Sequence, residues 1–156
     1  MPLPPAHAPF ISRSPDQTAA FGRDLGDAFH RRAFPETIRL VLLRGDLGAG
    51  KTLFTSGFAT GLQITADVHS PSYTVMNMYA GADLKLFHLD LYRLSYFEEV
   101  VDTGLFEYLA DRNLCIIEWS ERIPELATYP HLEICFTSVS ESTREITWHL
   151  REGGLR

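Results

Sequence analysis

Apolar and polar positions change period several times along the chain. In SPDQTAAFGRDLGDAFHRRAF, residues 14–34, the apolar side chains Phe21, Leu25, Ala28 and Phe29 recur at helical spacing. Ser14 suits the cap of that helix, Pro15 its first turn, and Asp16 its positive end. IRLVLLRG is almost wholly apolar, as in a strand covered on both faces. KTLFTSGFATGL returns to a helical pattern and stops near Gly61. SPSYTVMNMYA begins as a turn and becomes a strand. Gly81 interrupts it, and LKLFHLDLYRL predicts the next strand, so the two form a hairpin.

SYFEEVVDTGLFEYLADR predicts two short helices broken near Gly104, and NLCIIEW another buried strand. SERIPELATYP reads as a loop or short turn, and HLEICFTSV and REITWHL as closing strands. No internal repeat or low-complexity linker interrupts the order. Helices alternating with apolar central strands predict an α/β fold: a mixed, mostly parallel sheet, helices on both faces, and antiparallel strands at the edge. The expected organisation is one domain over 1–156, with an extended proline-rich leader over 1–11 and a frayed tail over 152–156.

Composition narrows the class. The chain has 156 residues, 45% apolar and 22% charged, enough for a real core. A net charge of −6 and no basic run disfavour unaided nucleic-acid binding. No apolar stretch approaches the roughly 20 residues that cross a bilayer, and MPLPPAHAPF lacks the plan of a signal peptide. Cys115 and Cys135 both fall in strand-like apolar runs, so buried free thiols and a cytoplasmic setting are expected.

The chemistry is concentrated in RGDLGAGKTLF, residues 44–54. It fits G-x-x-x-x-G-K-[ST], with Gly45, Gly50, Lys51 and Thr52 in the fixed places and a strand before and a helix after. Phosphate oxygens need several donors at once, so the main chain of Asp46, Leu47, Gly48, Ala49 and Gly50 must curl with its N–H groups inward. Side chains at Gly48 and Gly50 would obstruct that curl. A helix starting near Lys51 directs its positive end at the same anion. Lys51 supplies a mobile cation, the Thr52 hydroxyl can ligate Mg²⁺, and the N–H of Leu53 can serve a phosphate. A strand ending in an acid should organise the metal shell. Asp90 after LKLFHL and Glu118 after LCII are the candidates. His88 shares a strand face with Asp90 and reads better as core filling than as a water-positioning group. Arg93 is a candidate phosphate or partner contact. Gly-x-Gly-x-x-Gly and the guanine-reading N/T-K-x-D are both absent, which leaves ATP as the expected nucleotide.

Taken together, GDLGAGKT, SPSYT, HLDLYRL and IIEWSE, in this order and at these distances, resemble the TsaE (YjeE) family. The resemblance runs from about Thr18 to the last strand. It implies a P-loop NTPase-like three-layer fold and a small ATPase, slow alone, required with TsaB and TsaD for threonylcarbamoyladenosine in tRNA. Such a protein regulates or resets the transfer complex and is not the transferase; tRNA is met only indirectly. By position, Lys51 and Thr52 match the family's phosphate and Mg²⁺ residues, and Glu118 its other metal-associated acid. Asp90 matches its Walker B-like aspartate, Trp119 a tryptophan beside the nucleotide, and SPSYT a switch-like segment. Two departures stand out: Ser70-Pro71-Ser72 replaces the usual Ser-Pro-Thr, and Leu53 replaces a frequent second threonine.

With no arginine clearly placed as a finger, slow hydrolysis completed by a partner is the expected behaviour. Two other classes share the P-loop. A small-molecule kinase would carry an arginine-rich lid, but Ser95 to Arg112 holds one arginine. A non-hydrolysing ATP-sensing module differs only in turnover.

Overall fold

A computed structural model describes residues 6, 8–46, 48–71, 75–109 and 111–153. Its strands are β1 (Phe10–Ser12), β2 (Leu40–Arg44), β3 (Met76–Ala80), β4 (Lys85–Asp90), β5 (Leu114–Glu118), β6 (His131–Ser138) and β7 (Arg144–Arg151). They form one seven-stranded sheet in the order β1-β7-β6-β2-β5-β4-β3. The centre is parallel, β6–β2, β2–β5 and β5–β4. The pairs β1–β7, β7–β6 and β4–β3 are antiparallel. The predicted α/β architecture is therefore present, including its antiparallel edges.

Alternation along the buried strands sorts the core into two layers. Val41 and Leu43 of β2, Ile116 of β5 and Ile134 of β6 face one side, against helices α1 (Pro15–His30) and α2 (Lys51–Gly61). Leu40, Leu42, Leu89 and Ile117 face the other, against α3 (Phe97–Asp102), α4 (Leu105–Tyr108) and the turns after β5. Helix α1 starts as expected: the Ser14 hydroxyl accepts the N–H of Gln17, with Pro15 in the first turn. Helices α1 and α2 touch backbone to backbone. A Cβ added at Gly22 would lie 2.2 Å from the Phe54 carbonyl oxygen, and one at Gly57 1.9 Å from that of Ala19.

Several boundaries differ from the sequence reading. Residues Phe10 and Ile11, expected in the leader, belong to β1, where Phe10 stacks on Phe21 at 4.6 Å. Strand β4 ends at Asp90 instead of running through LYRL. The Asp90 carboxylate accepts the Tyr92 N–H at 2.9 Å, a local turn that competes with the ladder. SERIPELATYP folds into two short 3₁₀ turns, Ser120–Arg122 and Pro124–Thr128. Cys115 is buried, but Cys135 is only half-buried. It shares the β6 face of Glu133, opposite the face of Leu132, Ile134 and Phe136 that packs on the helices. Ser72 of the switch-like segment and residues 154–156 of the tail lie outside the described residues. No described helix is long and apolar enough to cross a membrane.

Candidate functional site

The site forms where the parallel strands end. Arg44 is the last residue of β2, and α2 begins at Lys51. Gly48 and Gly50 hold φ of +77° and +99°, which only glycine adopts freely. The Ala49 N–H returns to the Asp46 carbonyl at 3.1 Å and closes the turn. A cavity of about 500 Å³ opens over this loop. Gly48, Ala49, Gly50, Lys51, Thr52 and Leu53 line it, together with Asp90 at the end of β4, Glu118 at the end of β5 and Trp119 just after it. Asp46 is not in the lining; it contributes its carbonyl to the turn. Leu47 lies outside the described residues.

The two strand-end acids are direct neighbours across the ladder, Asp90 opposite Glu118. The Thr52 hydroxyl donates to Glu118, 3.2 Å from Oε1 and 3.3 Å from Oε2. On its other side Glu118 meets His88 Nε2 at 2.5 Å. His88 is fully buried beside this acid. Its Nδ1 finds no partner among the described residues. Asp90 accepts the Ser70 hydroxyl at 3.2 Å, which ties the SPS segment to the site.

Lys51 lines the cavity and is 5% exposed. Its ammonium donates to the Gly45 carbonyl at 2.6 Å and lies 3.4 Å from the centroid of the Trp119 indole. Burial pulls its pKa below the usual lysine value, against the opposing pull of Glu121, Glu118, Asp90 and Asp46. Glu121 was overlooked in the sequence reading. Its Oε2 accepts the N–H of Gly45, and it is the carboxylate that acts most strongly on Lys51. Tyr92 was overlooked too; its exposed ring packs on Trp119 at 5.2 Å. IIEWSE already contained Glu121, and HLDLYRL contained Tyr92, but nothing in either block told which side chains point inward. Arg93 also lines the cavity.

The donor set suits a triphosphate with Mg²⁺. A glycine-formed cradle precedes a helix N-terminus, a buried ammonium sits in it, and a hydroxyl–carboxylate pair supplies hard oxygen donors. No group of three or more His, Cys, Asp or Glu side chains forms a metal cage among the described residues.

Strand, glycine loop, helix and strand-end acids together define a P-loop α/β protein. Residues 12–146 match the family described as Threonylcarbamoyl adenosine biosynthesis protein TsaE, and the chain belongs to that family. It is 41% identical to the tRNA threonylcarbamoyladenosine biosynthesis protein TsaE of Bacillus subtilis over 116 residues, 74% of this chain and 72% of that one. The same-named protein of Treponema pallidum is 37% identical over 138 residues, 88% of this chain and 96% of its own. Among solved structures, the crystal structure of Bacillus subtilis YdiB superposes with a TM-score of 0.67 at 33% identity, covering 94% of this chain and 86% of that one.

Proposed function

We propose that this chain binds ATP with Mg²⁺ in the cavity over the glycine loop and hydrolyses it slowly. It acts with TsaB and TsaD as regulator or reset factor for threonylcarbamoyladenosine formation in tRNA. Family membership supports the pathway. The convergence of buried Lys51, the Thr52 hydroxyl and the Glu118 carboxylate at one helix N-terminus carries the chemistry.

In this reading the main-chain N–H groups of the loop and Leu53 hold phosphate oxygens, and Lys51 balances their charge. Thr52 and Glu118 hold the metal, which supplies charge neutralisation at the phosphates when bound. Asp90, beside Glu118, orients the attacking water or the metal's water shell. His88 fixes the Glu118 carboxylate from behind. Trp119 lies beside the nucleotide. The site has hydrogen-bonding and cationic groups for binding, and a partner that completes it would raise a slow turnover, since a finger charge is worth roughly 10³–10⁵ in rate. With a net charge of −6, contact with tRNA is indirect, through the partners.

The test is co-purification with TsaB and TsaD in the presence of ATP, ADP or no nucleotide, paired with phosphate release. Nucleotide-dependent association and faster release with the partners are expected. Association without any stimulated release would favour the sensing module, and acceptor-dependent ATP loss would favour a kinase. Lys51→Ala should remove most ATP binding; unchanged affinity defeats the site assignment.

A further inference from the structure

Among the described residues, a Cβ built on Gly48 meets nothing within 4 Å, and the residue sits at φ +77°. The Ala49 N–H on the Asp46 carbonyl closes the turn from within. A further support comes from far along the chain. Arg144, the first residue of β7, reaches across to donate from Nη2 to the Gly48 carbonyl at 3.0 Å. Its Nη1 is fixed by three carbonyls of the β6–β7 turn: Ser140 at 2.9 Å, Glu141 at 3.2 Å and Thr143 at 3.1 Å. Arg144 has no ion pair among the described residues. Its guanidinium is therefore spent on main-chain oxygens, four of them in two segments that are remote in sequence.

We propose that Arg144 is a positioning residue for the nucleotide loop: its guanidinium clasps the Gly48 peptide to the β6–β7 turn and so keeps the loop amides set for phosphate. The chemistry needs arginine. A planar fork can serve the turn with one nitrogen and the loop with the other, while a lysine ammonium is a single point of attachment. The Gly48 carbonyl points to Arg144, and peptide planarity then fixes the N–H of Ala49, which closes the turn on Asp46. Each charge-assisted hydrogen bond is stronger than a neutral one, and this one restrains a residue with wide conformational freedom. The inference rests on the reading of the loop as a phosphate site.

The probe is pyrophosphate with Mg²⁺, titrated calorimetrically into the full chain, with amide exchange followed over residues 44–54. Arg144→Gln should weaken pyrophosphate about tenfold, from the loss of a hydrogen bond to a charged group. It should speed exchange in the loop segment while β5 and α1 keep their protection. Arg144→Lys should recover only part of the affinity. Lys51→Ala separates the two ideas. If it leaves pyrophosphate binding intact, the phosphate site itself is misplaced. If it abolishes binding while Arg144→Gln binds like wild type, the clasp alone is overturned. Faster exchange throughout the molecule, or full wild-type affinity in the lysine variant, also overturns it. Should the glutamine variant not fold, the lysine variant carries the comparison.

Discussion

Lys51 opens α2 directly after the loop that it is expected to serve, and its surroundings give it a spectroscopic handle. The ammonium is 3.4 Å from the Trp119 ring centroid, close enough for a cation–π contact. A phosphate in the loop competes for the same charge, and Lys51 must then give up the ring or the Gly45 carbonyl. Nucleotide or pyrophosphate should therefore change Trp119 emission. The other tryptophan, Trp148, is 8% exposed and packs with Phe34 at the helical face of the sheet, so it should stay silent. Trp119→Phe should remove the response and Lys51→Met should shrink it to a small fraction. A response that persists in Trp119→Phe would show that the lysine–indole pair is not the reporter. Gly48, Gly50, Lys51, Thr52 and both acids, which the cavity brings together, stand in contiguous blocks of the sequence, and the family resemblance added Trp119. Arg144 could not be singled out there, since its contact with Gly48 spans 96 positions and depends on strand pairing. Glu121 stood in a recognised block, but a short 3₁₀ turn decides where its carboxylate points.

Helices α1 and α2 show how small residues set the distance between two elements. Gly22 and Gly26 of α1, and Gly57 and Gly61 of α2, are each spaced by four and face each other's main chains. The i, i+4 spacing stands in the sequence, but the contact it makes depends on how the two helices meet. Close contact brings the N-terminal end of α1 to the loop, where Thr18 Cγ2 would lie 3.3 Å from a Cβ on Gly50. Gly57→Ala tests the arrangement. Alanine is favoured over glycine in a helix interior by about 1 kcal/mol. Here its Cβ would come 1.9 Å from the Ala19 carbonyl oxygen, a backbone atom that cannot rotate away. Overpacking of roughly 1–3 kcal/mol should win, lowering the melting temperature by several degrees. A variant that melts at or above wild type would show that the helices separate at little cost. The major elements followed from periodicity. The three-residue β1 did not, because Phe10–Ser12 carries too few positions to show alternation and gains its place by pairing with β7 and stacking on Phe21. The end of β4 was misplaced for the opposite reason: apolar Leu91 and Leu94 continue the pattern, yet both are buried beyond a turn enforced by the Asp90 carboxylate.

The fold places its chemistry at one end of the parallel centre and leaves the other strands to brace it. Ligands of open α/β sheets collect beyond the carboxyl ends of such strands, and β2, β4 and β5 end here at the loop, Asp90 and Glu118. On the far side of β2, Glu133 of β6 ties three adjacent strands together, meeting Arg44 of β2 at 3.7 Å and Arg151 of β7 at 3.3 Å. Burial pushes the Glu133 pKa up, but the Arg151 hydrogen bond and the charges of Arg151 and Arg44 outweigh it, and the carboxyl ends below the usual value. The sign follows from linkage. A carboxyl depressed in the folded state adds stability that is present above its unfolded pKa and is lost as pH falls through the folded one. Both arginines are about half exposed, at 50% and 42%, so solvent screening limits the contribution to roughly 1 kcal/mol or less. Glu133→Gln should lower the unfolding free energy, measured in urea at neutral pH, by that small amount. The gap between variant and wild type should close as pH drops below the ordinary glutamate range, because the wild-type carboxyl is then protonated and uncharged as well. Added salt at neutral pH should narrow the gap in the same direction, through screening of the arginine charges. A gap that stays constant from neutral to acid pH would mean that Glu133 acts through shape and neutral hydrogen bonds, and that its charge does not brace the sheet.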